Sequence, residues 1–194
     1  MKKNGILFIT SAPSGSGKTT LCSKLVESVD GLYRSISMTT RPPRPGEKDG
    51  IDYIFIEKNE FMKRQKKNEF LEWAKVFGEY YGTPKKHILH MLERGSDVLL
   101  SIDVQGAMKI KRLRLDGVYI FIMPPSLAML RERLINRSTD STKAISERLS
   151  VAKKEVACSG RYDYIVVNNR LETALDNLRA IIIAERCRIK RGHN

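Results

Sequence analysis

Cysteine is scarce and scattered in this chain. Cys22, Cys158 and Cys187 form no C-x-x-C pair. An odd, dispersed set reads as reduced thiols packed like ordinary residues, which excludes a disulfide scaffold and points to the cytoplasm. His87, His90 and His193 form no metal motif. No apolar run is long enough to span a membrane. The run after Met1-Lys2-Lys3 is too short for a signal peptide and passes straight into a glycine-rich turn. There are no internal repeats and no low-complexity segment. Acidic residues are outnumbered, 22 against 35 Lys and Arg, for a net charge of +13. Such an excess favours anionic partners. Either a nucleic-acid surface, a cation-lined pocket for phosphorylated small molecules, or a solvated basic surface accounts for it.

What is present begins with Ala12-Pro13-Ser14-Gly15-Ser16-Gly17-Lys18-Thr19. Ile6 to Ile9 before it is a short run of strand formers. Thr20 to Val26 after it carries apolar residues at helical spacing. Strand, glycine-rich turn, Lys-Thr and helix are the parts of a phosphate-binding loop. Glycines let backbone N–H groups converge on phosphate oxygens, and the helix N-terminus adds its positive end. Lys18 can reach the outer phosphates, and the Thr19 hydroxyl can ligate magnesium. The usual pattern opens with glycine, where this chain has Ala12. At 194 residues and 41 % hydrophobic, the chain can build a core as one domain with insertions.

Further along, strands are expected at 32–37, 53–56, 70–77, 98–102, 118–123 and 164–167. Helices are expected at 59–67, 104–113, 126–136, 141–157 and 171–189. Another should start at Thr83-Pro84, with a hydroxyl cap and proline at its first position, and stop at Gly95. Strands alternating with helices imply a parallel sheet, with ligands at the carboxyl ends of its strands, as at Asp103. Residues 38 to about 84 differ in texture. They hold most of the aromatics and three prolines near Arg41 and Arg44, and read as an insertion with its own small sheet.

The segments Ser37 to Glu47, Gly50 to Tyr53, Glu69 to Ala74 and Tyr80 to Thr83, in this order after a phosphate loop, resemble the guanylate kinase family. Ile102 to Gly106, Pro124 to Ser126 and Tyr164 to Asn168 are similar to it too, so the resemblance covers nearly the whole chain. It implies an α/β fold of the P-loop NTPase type: a parallel five-stranded sheet flanked by helices, with an inserted α+β subdomain and a helical lid. The implied division is a core of 1–37 with 84–125 and 157–194, a GMP-binding subdomain at 38–83, and a lid at 126–156.

The resemblance also implies roles. Residues 12–20, from Ala12 through Pro13, Ser14, Gly15, Ser16, Gly17, Lys18 and Thr19 to Thr20, would bind ATP. Arg41, Arg44, Tyr53 and Tyr81 match ligands of the GMP phosphate. Ser37, Glu72, Thr83 and Asp103 match guanine-site residues. Arg133, Arg137 and Arg148 match lid arginines that act in catalysis with Lys18 and Arg41. Magnesium would be held by Thr19, with Asp103 nearby or through water. The chemistry agrees: arginine forks bind phosphate bidentately, and a carboxylate such as Glu72 can accept from guanine N1–H and the 2-amino group together.

Besides Ala12, the chain departs from the family pattern at Ser101, where an aspartate is usual, at Ser138 after the lid arginine, where glycine is frequent, and in Asn168-Asn169-Arg170 near the adenine end, where Asn-Asp-Asp is common. The expected reaction moves the γ-phosphoryl group of ATP to GMP, giving ADP and GDP. No membrane and no specific nucleic acid are expected, and monomer and homodimer stay open. Two other readings also stay open here. One is a non-catalytic binding module on this fold, against which the intact Lys18-Thr19 loop argues. The other is a kinase of another phosphorylated small molecule, against which Ser37, Glu72 and Thr83 argue. A nucleic-acid role rests on charge, with the basic stretch from Arg186 to Arg191 as its support.

Overall fold

A computed structural model describes residues 4–137 and 142–189, apart from the side chains at 134, 136, 137 and 142–144. Its main sheet has five parallel strands: β1 (Leu7–Ser11), β2 (Leu32–Arg34), β7 (Asp97–Ser101), β8 (Val118–Met123) and β9 (Tyr164–Val167), in the order β2-β7-β1-β8-β9. All five residues of β1 are buried. A strand buried along its whole length suits a parallel sheet covered on both faces.

The chain divides into two compact units. The first takes residues up to Thr10 together with Gly31–Gly117. In it, β1 pairs in parallel with β7 from Leu7↔Val98 to Thr10↔Ser101, and β2 pairs with the other side of β7. The helix α3 (Lys85–Glu93) packs on β7, burying Ile88. The helix α4 (Val104–Arg112) buries Val104, Ala107 and Ile110 along one stripe. A second sheet lies in this unit, with strands β3 (Met38–Thr39), β4 (Ile54–Phe55), β5 (Phe70–Val76) and β6 (Glu79–Pro84) in the order β4-β3-β6-β5. The helix α2 (Lys58–Lys66) sets Phe61 against Phe70, ring centroids 4.6 Å apart. The expectation of a separate small sheet in this stretch is met.

The second unit takes Ser11–Asp30 and the chain from Val118 onward. It contains α1 (Lys18–Ser28), β8, α5 (Leu127–Arg137), α6 (Thr142–Ala157), a short 3-10 turn at Ser159–Arg161, β9 and α7 (Leu171–Cys187). Leu21, Cys22 and Leu25 of α1 and Ala174, Leu178 and Ile182 of α7 are buried where these helices pack. The α5–α6 pair has its own small core of Leu130 and Ala152, with Leu149 against it.

Two expectations are corrected. Thr83 does not cap a helix. It is a strand residue of β6, opposite Glu72 of β5, and its hydroxyl donates to the Glu72 carboxylate. Helix α3 starts at Lys85 with Pro84 as its extended N-cap and no side-chain cap. Pairing with β5 outweighs the local capping signal here. The strands β3 and β6 were also not expected. The turn joining β5 to β6 is Phe77-Gly78, with φ of 49° and 91°. Both residues are left-handed, as a tight two-residue hairpin turn requires, but without the usual Asn-Gly.

Candidate active site

The second unit begins at Ser11, the last residue of β1, and continues through the loop 12–17 into α1. Ser16 N–H donates to the Pro13 carbonyl at 3.1 Å and closes the turn. Ala12 is buried, so a methyl group fits at the position where glycine is usual. Gly17 is the N-cap of α1 and has φ 83°. A Cβ there would lie 2.6 Å from Asn168 Nδ2, so glycine is needed for space as well as for conformation. That amide is buried and donates to the Ser16 carbonyl at 2.7 Å. Helix α1 has no side-chain cap and no acid in its first turn, which leaves its positive end for an anion. Ser16 Oγ is buried without a hydrogen-bond partner, an acceptor and donor ready for a ligand oxygen. Thr19 and Thr20 are exposed.

A cavity of about 460 Å³ beside this loop is lined by Gly15, Gly17, Thr20, Arg133, Asn168 and Asn169. Arg133, on α5, thus shares a cavity with the phosphate loop. Arg148 is half-buried on α6. The Arg137 side chain and Ser138 lie outside the described residues. Arg186 donates to the Asp30 carbonyl at 2.8 Å, and Arg188 approaches Glu185 at 3.4 Å. Two cations of the basic C-terminal stretch thus meet acceptors within the same unit.

In the first unit two clusters form. Arg41, Tyr53 and Tyr81 come together: the Arg41 guanidinium carbon is 5.4 Å from the Tyr53 ring, and the two tyrosine rings are 6.0 Å apart, edge to face. Burial pulls the Arg41 pKa down, but hydrogen bonding to Glu47 and Tyr81 outweighs it and leaves the group above its usual value. Burial raises the Tyr53 hydroxyl, Tyr81 adds to this, and Arg41 opposes it. Arg44 is exposed, and its backbone N–H donates to Glu47 Oε2 at 2.7 Å.

The second cluster centres on Glu72, which is buried on β5. A register shift between Phe70 and Glu72 sets the Glu72 side chain on the Thr83 face of the hairpin. A bulge re-aims side chains in this way. Thr83 Oγ1 donates to Glu72 Oε1 at 2.6 Å. Asp103 is the N-cap of α4, and its Oδ1 accepts from Gln105 N and Gly106 N at 2.8 and 3.1 Å. Ser37 is half-buried, and its carbonyl accepts from Ile54 N.

Three residues of these clusters carried no role in the sequence: Glu47, Asn168 and Gly106. Glu47 had one legible signal, an acid at the end of a Pro-Gly turn three residues after Arg44. Among the described residues no three His, Cys, Asp or Glu side chains gather as a metal cage. The donor set offers the exposed Thr19 hydroxyl, which suits a magnesium ion that keeps most of its waters and comes with nucleotide phosphates.

A phosphate loop between a parallel strand and a helix that opens Lys-Thr, in a chain with an arginine–tyrosine cluster and a buried carboxylate, defines a P-loop nucleotide kinase. The guanylate kinase family model matches residues 4–185, and the chain belongs to the guanylate kinase family. It is 48 % identical to the guanylate kinase of Caldanaerobacter subterraneus over 192 residues, 99 % of this chain and 93 % of that protein. The crystal structure of guanylate kinase from Anaplasma phagocytophilum superposes with a TM-score of 0.81 at 37 % identity, covering 96 % of this chain and 89 % of that one. Shikimate kinase from Bacteroides thetaiotaomicron, with a TM-score of 0.54 at 13 % identity over 92 % of this chain and 98 % of that one, shares the fold alone. The activity that goes with the family is phosphotransfer from ATP to a nucleoside monophosphate, GMP. No helix among the described residues is long and apolar enough to cross a membrane.

Proposed function

We propose that the chain divides this reaction among its residues as follows. ATP lies on residues 12–20, with Lys18 on its outer phosphates and the Gly17–Thr20 N–H groups on the inner ones. GMP lies on the inserted subdomain 38–83. Arg41, Arg44, Tyr53 and Tyr81 hold its phosphate, and Ser37, Glu72, Thr83 and Asp103 read its base. The helices at 126–156 act as a lid that brings Arg133, Arg137 and Arg148 over the transferred group. The acceptor phosphate is already anionic near neutral pH, so no general base is needed. Positioning and charge neutralisation carry the catalysis. Closure keeps out the water that would otherwise hydrolyse ATP. Magnesium would be held by Thr19 and water, with Asp103 nearby, and supplies positive charge at the phosphates. The scattered cysteines suit a cytoplasmic enzyme.

The observation that carries the reading is the buried Glu72 carboxylate, tied by one oxygen to Thr83 at 2.6 Å. Guanine offers two adjacent donors to such a group, and adenine offers an acceptor and no amino group. Sites that hydrogen-bond a substrate group reject analogues lacking it by up to ~10⁴–10⁵. A coupled ADP-release assay over a panel of nucleoside monophosphates tests this. Wild type should use GMP and reject AMP. Glu72→Gln should lose GMP activity steeply and discriminate less. Arg41→Ala should weaken all monophosphates together. A Glu72→Gln enzyme with wild-type selectivity would overturn the reading.

A further inference from the structure

Gly106 stands in the first turn of α4, where its backbone is helical and needs no glycine. Glycine is among the poorest residues for a helix, so its presence calls for a reason. The reason is space. A Cβ on Gly106 would lie 2.5 Å from Glu72 Oε2, 2.9 Å from its Cδ and 3.4 Å from Oε1. The Glu72 carboxylate rests against the bare Cα of the helix.

Neither element is free to give way. The Gly106 N–H is held by Asp103 Oδ1 at 3.1 Å, which pins the start of α4. One turn on, Lys109 Nζ donates to the Trp73 carbonyl and stands 4.5 Å from the Trp73 ring. This clamps the strand residue next to Glu72. What remains movable is the end of the Glu72 side chain, which Thr83 holds from the far side at 2.6 Å.

We propose that Gly106 is a specificity-determining positioning residue: the missing side chain makes the seat that aims the Glu72 carboxylate at the substrate base. The inference rests on the reading of Glu72 as the group that accepts from guanine. A methyl group at 106 pushes the carboxylate aside, breaks its alignment with Thr83 and loses the paired acceptance from N1–H and the 2-amino group. A carboxylate displaced by a fraction of an ångström still takes one donor but not two.

The experiment compares kcat/KM for GMP and IMP, which differ by the 2-amino group alone, in wild type and Gly106→Ala. The GMP-over-IMP preference should fall by about tenfold to a hundredfold, the range of one lost contact. The KM for ATP should be unchanged, and thermal unfolding should fall only modestly, since the better helix propensity of alanine offsets part of the strain at the Glu72–Thr83 contact. The double variant Gly106→Ala with Glu72→Asp adds a readout that a merely structural role would not move. Shortening the acid by one methylene makes room for the Cβ, so Gly106→Ala should cost less in the Glu72→Asp background than in wild type.

If Gly106→Ala alone folds poorly, the double variant should regain the unfolding temperature of Glu72→Asp. Equal losses in both backgrounds, no regain of stability, or a wild-type GMP-over-IMP ratio in Gly106→Ala would each overturn the proposal. Glu72→Gln separates the two levels. If it leaves the ratio intact, the reading of Glu72 is what fails. If it lowers the ratio and Gly106→Ala does not, only the seat fails.

Discussion

Arg41 and Glu47 form a closed fork: Arg41 Nη2 lies 2.9 Å from both carboxylate oxygens of Glu47. Arg41 Nη1 donates to the Pro42 carbonyl at 2.6 Å, and Glu47 also accepts from Arg44 N. One acid therefore holds both arginines of the expected phosphate site in a single turn. Both side chains are mostly buried, 12 % and 19 % exposed, so the pair is worth more than a surface bridge.

Glu47→Ala should release the Arg41 fork and loosen the turn at Arg44. The expected effect is a rise of about tenfold in KM for GMP, with a stability loss of about 1–3 kcal/mol from stranding a mostly buried guanidinium. IMP should weaken by the same factor, because the phosphate is shared, and KM for ATP should hold. Steady-state kinetics with both monophosphates, alongside thermal unfolding, checks this. An unchanged or lower KM for GMP would mean that Glu47 competes with the phosphate and does not prepare its site.

The regular elements were legible because their signals are local. Val118–Met123 and Tyr164–Val167 are apolar runs between turn signals, and both strands have those bounds. The inserted sheet was less legible. Met38–Thr39 is two residues long and is defined by its partners Ile54, Phe55, Tyr81 and Gly82. No periodicity can mark a strand that short. At Thr83 the local signal misleads: a Thr-Pro pair looks like a helix start, while the hydroxyl is committed to an acid eleven residues away.

The candidate site divides the same way. The phosphate loop lies in one run of sequence and is legible as such. Glu47 was visible as an acid in a turn but not as the partner of Arg41. Gly106 meets the Glu72 side chain and Asn168 holds the Ser16 carbonyl, partners far off in sequence, and only the fold joins them.

Asn168 bears on ATP. Its buried amide holds the Ser16 carbonyl and fills the space beside Gly17. Asn168→Ala should let the loop peptide at 16–17 relax and misalign the N–H groups meant for phosphate. We expect KM for ATP to rise by about tenfold, the cost of one buried hydrogen bond, with KM for GMP unchanged. Asn168→Asp should be worse, because it places an acid against a carbonyl oxygen and near bound phosphate. If Asn168→Asp matched wild type, the contact would have no part in shaping the loop.

Tyr53 gives a pH test. Its folded pKa is raised, first by burial and then by Tyr81. The neutral phenol is therefore favoured in the folded chain. Its contribution to stability is complete below the ordinary tyrosine value of 10.0 and is lost as pH rises through the higher folded value. A phenol that keeps its proton also stays a donor to phosphate, so KM for GMP should not rise on this account up to pH 10.0. Tyr53→Phe should raise KM by a constant factor over that range. Above it the gap should narrow, as wild type loses the same proton. A gap that already closes below pH 10.0 would show that the phenol ionises earlier than its surroundings dictate.

Lys18 separates chemistry from folding. It opens α1 just after the left-handed Gly17, is half-buried, and takes no place in the buried core. Lys18→Met keeps the aliphatic stem and removes the charge, so the unfolding temperature should stay close to that of wild type. Turnover should fall by at least ~10³, the scale of losing a charge-stabilising group at a transferred phosphoryl. GMP binding, measured by calorimetry without ATP, should be unaffected, because the proposed acceptor residues are all outside the loop. Arg148→Ala is the comparison. A lid arginine acting in the closed state should lower kcat with little change in either KM. If Lys18→Met weakened GMP binding and left kcat near wild type, Lys18 would be a monophosphate ligand, and the assignment of residues 12–20 to ATP would have to be withdrawn.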